Sequence, residues 1–245
     1  MEIQDVVWQT NELTETYLSG VRGAIPLAQE QIDVMLRLIG AAQSKPTAIL
    51  DLGCGDGILG LAVLDQYPQA HAVLADFSEP MLKAARKRSD GNSRCTIVQL
   101  DYGKQGWGKS LPPDITQYDV IVSGFSIHHQ PDARKKEVYA DLFNLLAPGG
   151  IFLNLEHVAS HSRWVERRFE EFFIDALFAY HQAIGSSKTR QQVDDEFYSR
   201  PDKAANILVP VEDQCDWLRE IGFVHVDCYL KVFELALFGG IKTKI

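Results

Sequence analysis

Between residues 47 and 157 short apolar runs alternate with segments of helical period, and this alternation narrows the possible folds more than any other feature. The runs are "TAILDLG", "AHAVLAD" (70–76), "CTIVQLD" (95–101), "YDVIVSG" (118–124) and "IFLNLEH" (151–157). Each is short, apolar and bounded by turn or polar residues, which is the pattern of a buried strand. The segments between them read as helices. One covers 57–66; a second opens at "SEPMLKAARKR", with Ser78 as N-cap and Pro80 in the first turn. A third runs through "DARKKEVYADLFNLLA", with Pro148-Gly149-Gly150 as its stop. Strands that alternate with helices imply right-handed crossovers and a mostly parallel sheet covered on both faces.

A helix with Ile32, Met35, Leu36 and Ile39 on one face precedes the first strand. After residue 157 the alternation stops. "WVERRFEEFFIDALFAYHQAI" (164–184) places Phe169, Phe172, Phe173, Leu177 and Tyr180 on one helical face, and a polar stretch follows. A last helix at 212–221 leads into "GFVHVDCYLKVFELALFGG", which reads as two strands with a turn near Leu230-Lys231. With 245 residues, 46% of them hydrophobic, the chain can bury one large α/β core. The expected organisation is a single domain. Residues 1–47 form a helical cover, 48–157 a cofactor-binding core, 158–210 a helical lid and 211–245 the final helix and hairpin. Ligands of such sheets bind beyond the carboxyl ends of the strands, so the lid is placed to roof the site.

The loop "DLGCGDGILG" (51–60) carries two overlapping patterns. Gly55 to Gly60 is a literal GxGxxG, the dinucleotide signal, whereas Asp51 to Gly57 is an acidic residue followed by GxGxG. Glycines between strand and helix let a ligand approach the backbone closely. Asp51 and Asp56 flank that spot, and carboxylates suit a cationic amino-acid group better than a diphosphate. Gly57 and Gly60 read as helix-packing glycines. Asp76 closes the second run 21 residues after Gly55 and can accept from ribose hydroxyls in either reading. Asp101 with Tyr102 suits an adenine, and Met81 can pack against the adenine or ribose edge.

Taken in order and spacing, "ILDLGCGDG", "LADFSEPMLKAARKR", "QLDYG", "YDVIVSGFSIHH" and "LFNLLAPGG" resemble the class I S-adenosylmethionine-dependent methyltransferases. The resemblance covers about residues 45–157 and the terminal strand pair. It implies a Rossmann-like sheet of seven strands, the last antiparallel. It also implies S-adenosyl-L-methionine as cofactor, with Gly53 and Gly55 facing the methionine part, Asp76 on the ribose, and Asp101 and Tyr102 about the adenine. Ser123, ending the fourth run with Gly124, would lie under the sulfonium. "YLSGVRGAIP" resembles a segment that covers the cofactor in small-molecule methyltransferases, which makes Tyr17 and Arg22 candidates for its carboxylate.

Methyl transfer needs alignment and exclusion of water more than a catalytic triad, and a base only where the acceptor must lose a proton. His128, after the fourth run at the rim of the cofactor cleft, and Glu156 and His157, ending the fifth run beneath the lid, are the candidates. Arg163, Arg167, Arg168 and Arg200 are positive groups on or near the lid. Its aromatic content favours a small, partly apolar acceptor over a polymer. A net charge of −9 without a basic face argues against nucleic acid, and the short run Arg86-Lys87-Arg88 suits a helix C-terminus. Four scattered cysteines suggest neither disulfides nor a metal site. The acidic start lacks signal-peptide features and no apolar run would span a bilayer, so a cytoplasmic setting is expected, with the oligomeric state open. Two alternatives remain. The order of lid, "NILVP" and hairpin resembles the carboxy-S-adenosylmethionine synthases, and the literal GxGxxG allows a nicotinamide-dependent oxidoreductase.

Overall fold

A computed structural model describes residues 8–18, 22–200, 203 and 205–244. Its centre is a seven-stranded sheet in the order β3-β2-β1-β4-β5-β7-β6. The strands are β1 Ala48–Leu52, β2 His71–Asp76, β3 Cys95–Gln99, β4 Tyr118–Gly124, β5 Leu146–His157, β6 Val224–Val232 and β7 Leu235–Ile241. Strands β1 to β5 pair in parallel, while β7 runs antiparallel to both β5 and β6. Order reverses between β1 and β4, so their carboxyl ends open a crevice at the switch point. The glycine loop leaves β1 at this crevice.

Alternation along the strands sorts the core into two layers. Leu50, Val73, Ile121 and Phe152 point toward α6 (Asp132–Leu145) and α9 (Val211–Ile221). Ile49, Leu74, Val120 and Leu153 point toward α3 (Ala28–Ala42) and α4 (Ile58–Gln66). α5 (Glu79–Arg88) begins as its sequence suggests, because the Ser78 hydroxyl accepts from the Met81 amide.

The lid consists of α7 (Arg163–Ala183) and α8 (Arg190–Ser199). Phe169, Phe173, Ile174 and Leu177 of α7 meet Val193 and Phe197 of α8 in a separate apolar cluster. Ala24 and Ile25 join it from beside the short α2 (Arg22–Ala24), which follows α1 (Asn11–Thr16) in the N-terminal cover. Among the described residues no helix is long and apolar enough to cross a membrane.

Two boundaries differ from the sequence reading. The final hairpin turns at Phe233-Glu234, not at Leu230-Lys231, which pair with Leu237 and Ala236 inside the ladder. Phe233 supplies the positive φ of the tight turn at 52°. Pro148 to Gly150 likewise belong to β5, because extended pairing begins at Leu146 and the register shifts there instead of closing a separate loop.

Candidate functional site

The glycine loop is shaped by backbone conformation. Gly53 and Gly55 lie at φ 66° and 54°, where a side chain is strained. A Cβ on Gly53 would collide with the Ser126 hydroxyl, whereas one on Gly55 would meet only Met81 Sδ, at 3.9 Å. The space over Gly55 is therefore open toward Met81. Asp76 stands beside it, accepting from the Gly55 amide at 2.9 Å and the Ser78 amide at 2.8 Å. Burial pushes its carboxyl up to about 6, against the lowering effect of those amides. The Phe77 backbone adds a third such contact, and the carboxylate keeps acceptor capacity for a ribose hydroxyl.

The other two loop glycines face inward. A Cβ on Gly57 would press on Leu74 Cδ1 at 3.0 Å, and Gly60 lies against Asp51 and Leu74. A dinucleotide reading needs Gly57 open to a pyrophosphate, and it is not. The charge reading of the loop is corrected at Asp56, whose carboxylate is taken by Arg88 at 2.5 Å. Asp51 is buried and accepts from the Gly60 amide at 2.8 Å, tying β1 to α4.

Three adjoining chambers occupy the crevice, and Phe125 lines all of them. Phe125 sits at φ 50°, a conformation that costs a bulky residue on the order of 1–3 kcal/mol and clusters at functional sites. One chamber of about 60 Å³ is bounded by Gly53, Gly55, Asp76, Met81, Trp8 and Tyr17. Asp51, Gly53, Cys54 and Gly124 border a second, of about 40 Å³. The third, about 330 Å³, extends under the lid. The first two are smaller than the roughly 300 Å³ at which small-molecule pockets begin, and the N-terminal cover rests over the one beside Gly55 through Trp8 and Tyr17. That cover is held by the Ser78 hydroxyl, which donates to the Trp8 carbonyl at 2.6 Å, and by the Trp8–Tyr17 ring contact at 5.3 Å.

The remaining sequence candidates are dispersed. Tyr102 is turned into the core, its hydroxyl 2.7 Å from that of Ser126. Asp101 accepts from the Gly103 amide and pairs with Lys104 at 3.2 Å, and it lines none of the three chambers. Ser123 is fully buried and donates to the Leu52 carbonyl, closing the floor between β1 and β4. The side chain of Arg22 lies outside the described residues. The donor set around Gly55, Asp76 and Met81 fits an adenosyl group. Asp76 offers acceptors for the ribose, Met81 an apolar face, and the bare Gly55 backbone a close approach.

The large chamber has the chemistry. His128, His129 and His157 line it, beside Phe169, Phe173 and Phe197 from the lid. His128 Nδ1 lies 2.5 Å from Glu156 Oε1, and the His128 amide donates to Glu156 Oε2 at 3.0 Å. Glu156 itself is fully buried and also accepts from the His157 amide. Burial raises Glu156 to about 7 and holds His128 well below the usual imidazole range, with His157 and Lys135 nearby pushing His128 the same way. Burial thus favours the uncharged form of both partners. The His128 side chain is also hydrogen-bonded to Asn206, an interaction that favours the protonated ring. His157 Nε2 meets Glu234 Oε2 at 2.9 Å. Glu234 comes from the hairpin turn and is buried, a placement sequence reasoning missed because the turn was read three residues early. Arg200 and Lys203 also line the chamber, Lys203 paired with Glu170 at 2.6 Å. Arg163, Arg167 and Arg168 do not line it.

A methyltransferase-domain model matches residues 50–152. The chain is 24% identical to the carboxy-S-adenosyl-L-methionine synthase of Desulfotalea psychrophila, covering 90% of this chain and 86% of that protein. It is 27% identical to the demethylmenaquinone methyltransferase of Clavibacter sepedonicus, covering 79% and 73%. Among solved structures, an O-methyltransferase family protein from Burkholderia thailandensis superposes with a TM-score of 0.62 at 19% identity, over 89% of this chain and 57% of that one. PigF, solved with SAH, gives 0.61 at 19% identity over 97% and 62%. The chain thus spans less than two thirds of those two structures' length. The matched sheet, the loop geometry and the curated relatives agree: residues 50–152 form a methyltransferase domain, and the chain is similar to S-adenosylmethionine-dependent enzymes over most of its length.

Proposed function

We propose that the protein methylates a small, partly apolar molecule whose acceptor atom carries a proton, with S-adenosyl-L-methionine as donor. The observation that carries this reading is the Glu156–His128 pair on the wall of an aromatic chamber that adjoins the cofactor crevice through Phe125. When bound, the cofactor supplies an activated methyl group for in-line displacement. Gly53, Gly55, Asp76 and Met81 hold it, and Asp51 keeps the loop on α4. In its ionised form Glu156 fixes His128 with Nδ1–H toward the carboxylate, and Nε2 takes the acceptor's proton as the new bond forms, once the acceptor has replaced the Asn206 contact. Burial favours the neutral imidazole of His128, which is the form a base needs. The aromatic side chains of the lid limit water at the reacting atoms, and a chamber of about 330 Å³ favours a small molecule over a polymer.

A second reading stays attached to the same site. The relatives that match over most of the chain include carboxy-S-adenosyl-L-methionine synthases, and Arg200 and Lys203 bring positive charge to the chamber. In that case the cofactor is altered and no acceptor is methylated.

Thermal unfolding with S-adenosylmethionine, S-adenosylhomocysteine and NADH in separate samples tests the cofactor. Ligand at about 100 times Kd adds about 2.7 kcal/mol, or on the order of 5–10 °C here. A rise with the first two alone, lost in Asp76→Ala, is expected. A rise with NADH alone would sink the reading. Mass spectrometry of turnover mixtures then separates a methylated acceptor from a carboxylated cofactor.

A further inference from the structure

The chamber under the lid carries a second carboxylate–imidazole pair that a single proton transfer does not use. His157 and His128 both line this space, their rings 5.9 Å apart and edge-on. Each has one nitrogen fixed by a buried carboxylate: Nδ1 of His128 by Glu156, and Nε2 of His157 by Glu234. Nε2 of His128 and Nδ1 of His157 are the nitrogens those carboxylates do not engage; His128 also bonds Asn206, a contact that an acceptor would replace. Glu156 also joins the pairs, since it accepts from the His157 amide. Holding a second imidazole in a fixed orientation with a buried glutamate from a distant hairpin costs desolvation. Recognition of a second polar group on the acceptor accounts for that investment.

The walls indicate the rest of the molecule. The Phe169 ring packs on His157 at 5.3 Å and on Phe173 at 5.7 Å, and Phe173 packs on Phe197 at 5.9 Å. Such a bank suits a planar ring. The charges at the mouth are mixed, with Lys203 tied to Glu170 and with Arg200 and Glu166 both on the lining, so nothing there demands a net charge. Oxygens on adjacent ring carbons lie about one hydrogen-bond length apart, ~2.8 Å, and two convergent donors or acceptors on one wall can bridge them.

We infer that the acceptor is an aromatic ring with two oxygens on adjacent carbons, one presented to His128 for methylation and the other read by His157, with Glu234 as the residue that positions His157. This rests on the methyl-transfer reading of the same chamber, but it is tested by binding.

The protein saturated with S-adenosylhomocysteine is titrated calorimetrically with 4-propylphenol, 4-propylcatechol and 4-propylresorcinol. The catechol should bind at least tenfold tighter than the phenol, and the resorcinol should resemble the phenol. His157→Asn should bring the catechol-to-phenol ratio to within about twofold of one, and Glu234→Gln should lower it part of the way. The thermal rise with S-adenosylhomocysteine reports that each variant is folded, and Glu234→Gln serves alone if His157→Asn is not. A wild-type ratio near one, a preference for the resorcinol, or a ratio that survives both substitutions would overturn the inference. A catechol preference with no methylated product would instead count against methyl transfer and leave the two-oxygen site standing. Methylation of phenol and catechol alike, with equal affinity, would do the reverse.

Discussion

The crevice beside Gly55 and the chamber under the lid share Phe125, yet they are made in different ways. Beside Gly55, recognition comes from backbone: two glycines at positive φ, and a carboxylate held by the amides of Gly55 and Ser78. All of it lies within one β-α-β-α stretch. Under the lid, recognition comes from side chains delivered by segments far apart in the chain. His128 follows β4, His157 ends β5, Phe169 and Phe173 lie on α7, and Glu234 sits in the last hairpin. Backbone geometry suits a group that is constant across a family, and side chains suit one that varies, because side chains can be exchanged without disturbing the sheet.

The sharpest way to separate the two regions is to remove chemistry from one and watch the other. His128→Gln should lower kcat on the acceptor found by mass spectrometry by about 10²- to 10⁴-fold, the usual contribution of a positioned base. The thermal rise with S-adenosylhomocysteine should be unchanged. Loss of both together would show that the regions are not independent.

A smaller effect should appear in the crevice alone. Asp76 titrates at about 6 because it is buried, and it must be ionised to accept from both ribose hydroxyls. Its protonated form dominates below that value. S-adenosylhomocysteine affinity should therefore be flat above pH 7 and fall by up to tenfold per unit below pH 6. Asp76→Asn should bind weakly at every pH, with that slope removed. A slope that survives in the asparagine variant would assign the titration to another group.

The smallest effect concerns the joint between cover and lid. A Cβ on Gly23 would overlap the outer end of the Tyr180 ring, so a side chain there makes that ring shift at the contact of α7 with α2. Gly23→Ala should displace the lid at a cost of about 1–2 kcal/mol. The acceptor KM should rise on the order of five- to thirtyfold, with cofactor affinity little changed. Steady-state kinetics against both substrates would detect it, and equal losses for the two would mean that the cover also sets the cofactor's hold.

Reading the sequence reached the crevice more fully than the chamber. Gly53, Gly55, Asp76 and Met81 come together as their spacing suggests, since all four follow from strand ends and one helical turn. Tyr102 backs Gly53 from the core side, its ring 3.5 Å from where a Cβ there would stand, a placement that its position three residues past β3 does not dictate. Asp56 looked available to a ligand until α5 brought Arg88 to it from 32 positions away. His128, Glu156 and His157 were each visible as polar groups at strand ends. Their pairing was not, and neither was Glu234, whose position depends on a turn at Phe233 that lacks the usual glycine or asparagine.

From its sequence alone this protein was bound to be a wound α/β sheet with a glycine loop at its switch point. Period-two and period-3.6 burial, helix caps and glycine conformations are all written within a few residues of where they act. Which carboxylate meets which imidazole, which acid is neutralised, and how tightly the cover rests on the crevice were decided only by the tertiary structure. Those contacts join residues separated by 28, 32, 70 and 77 positions, and no local preference reaches that far.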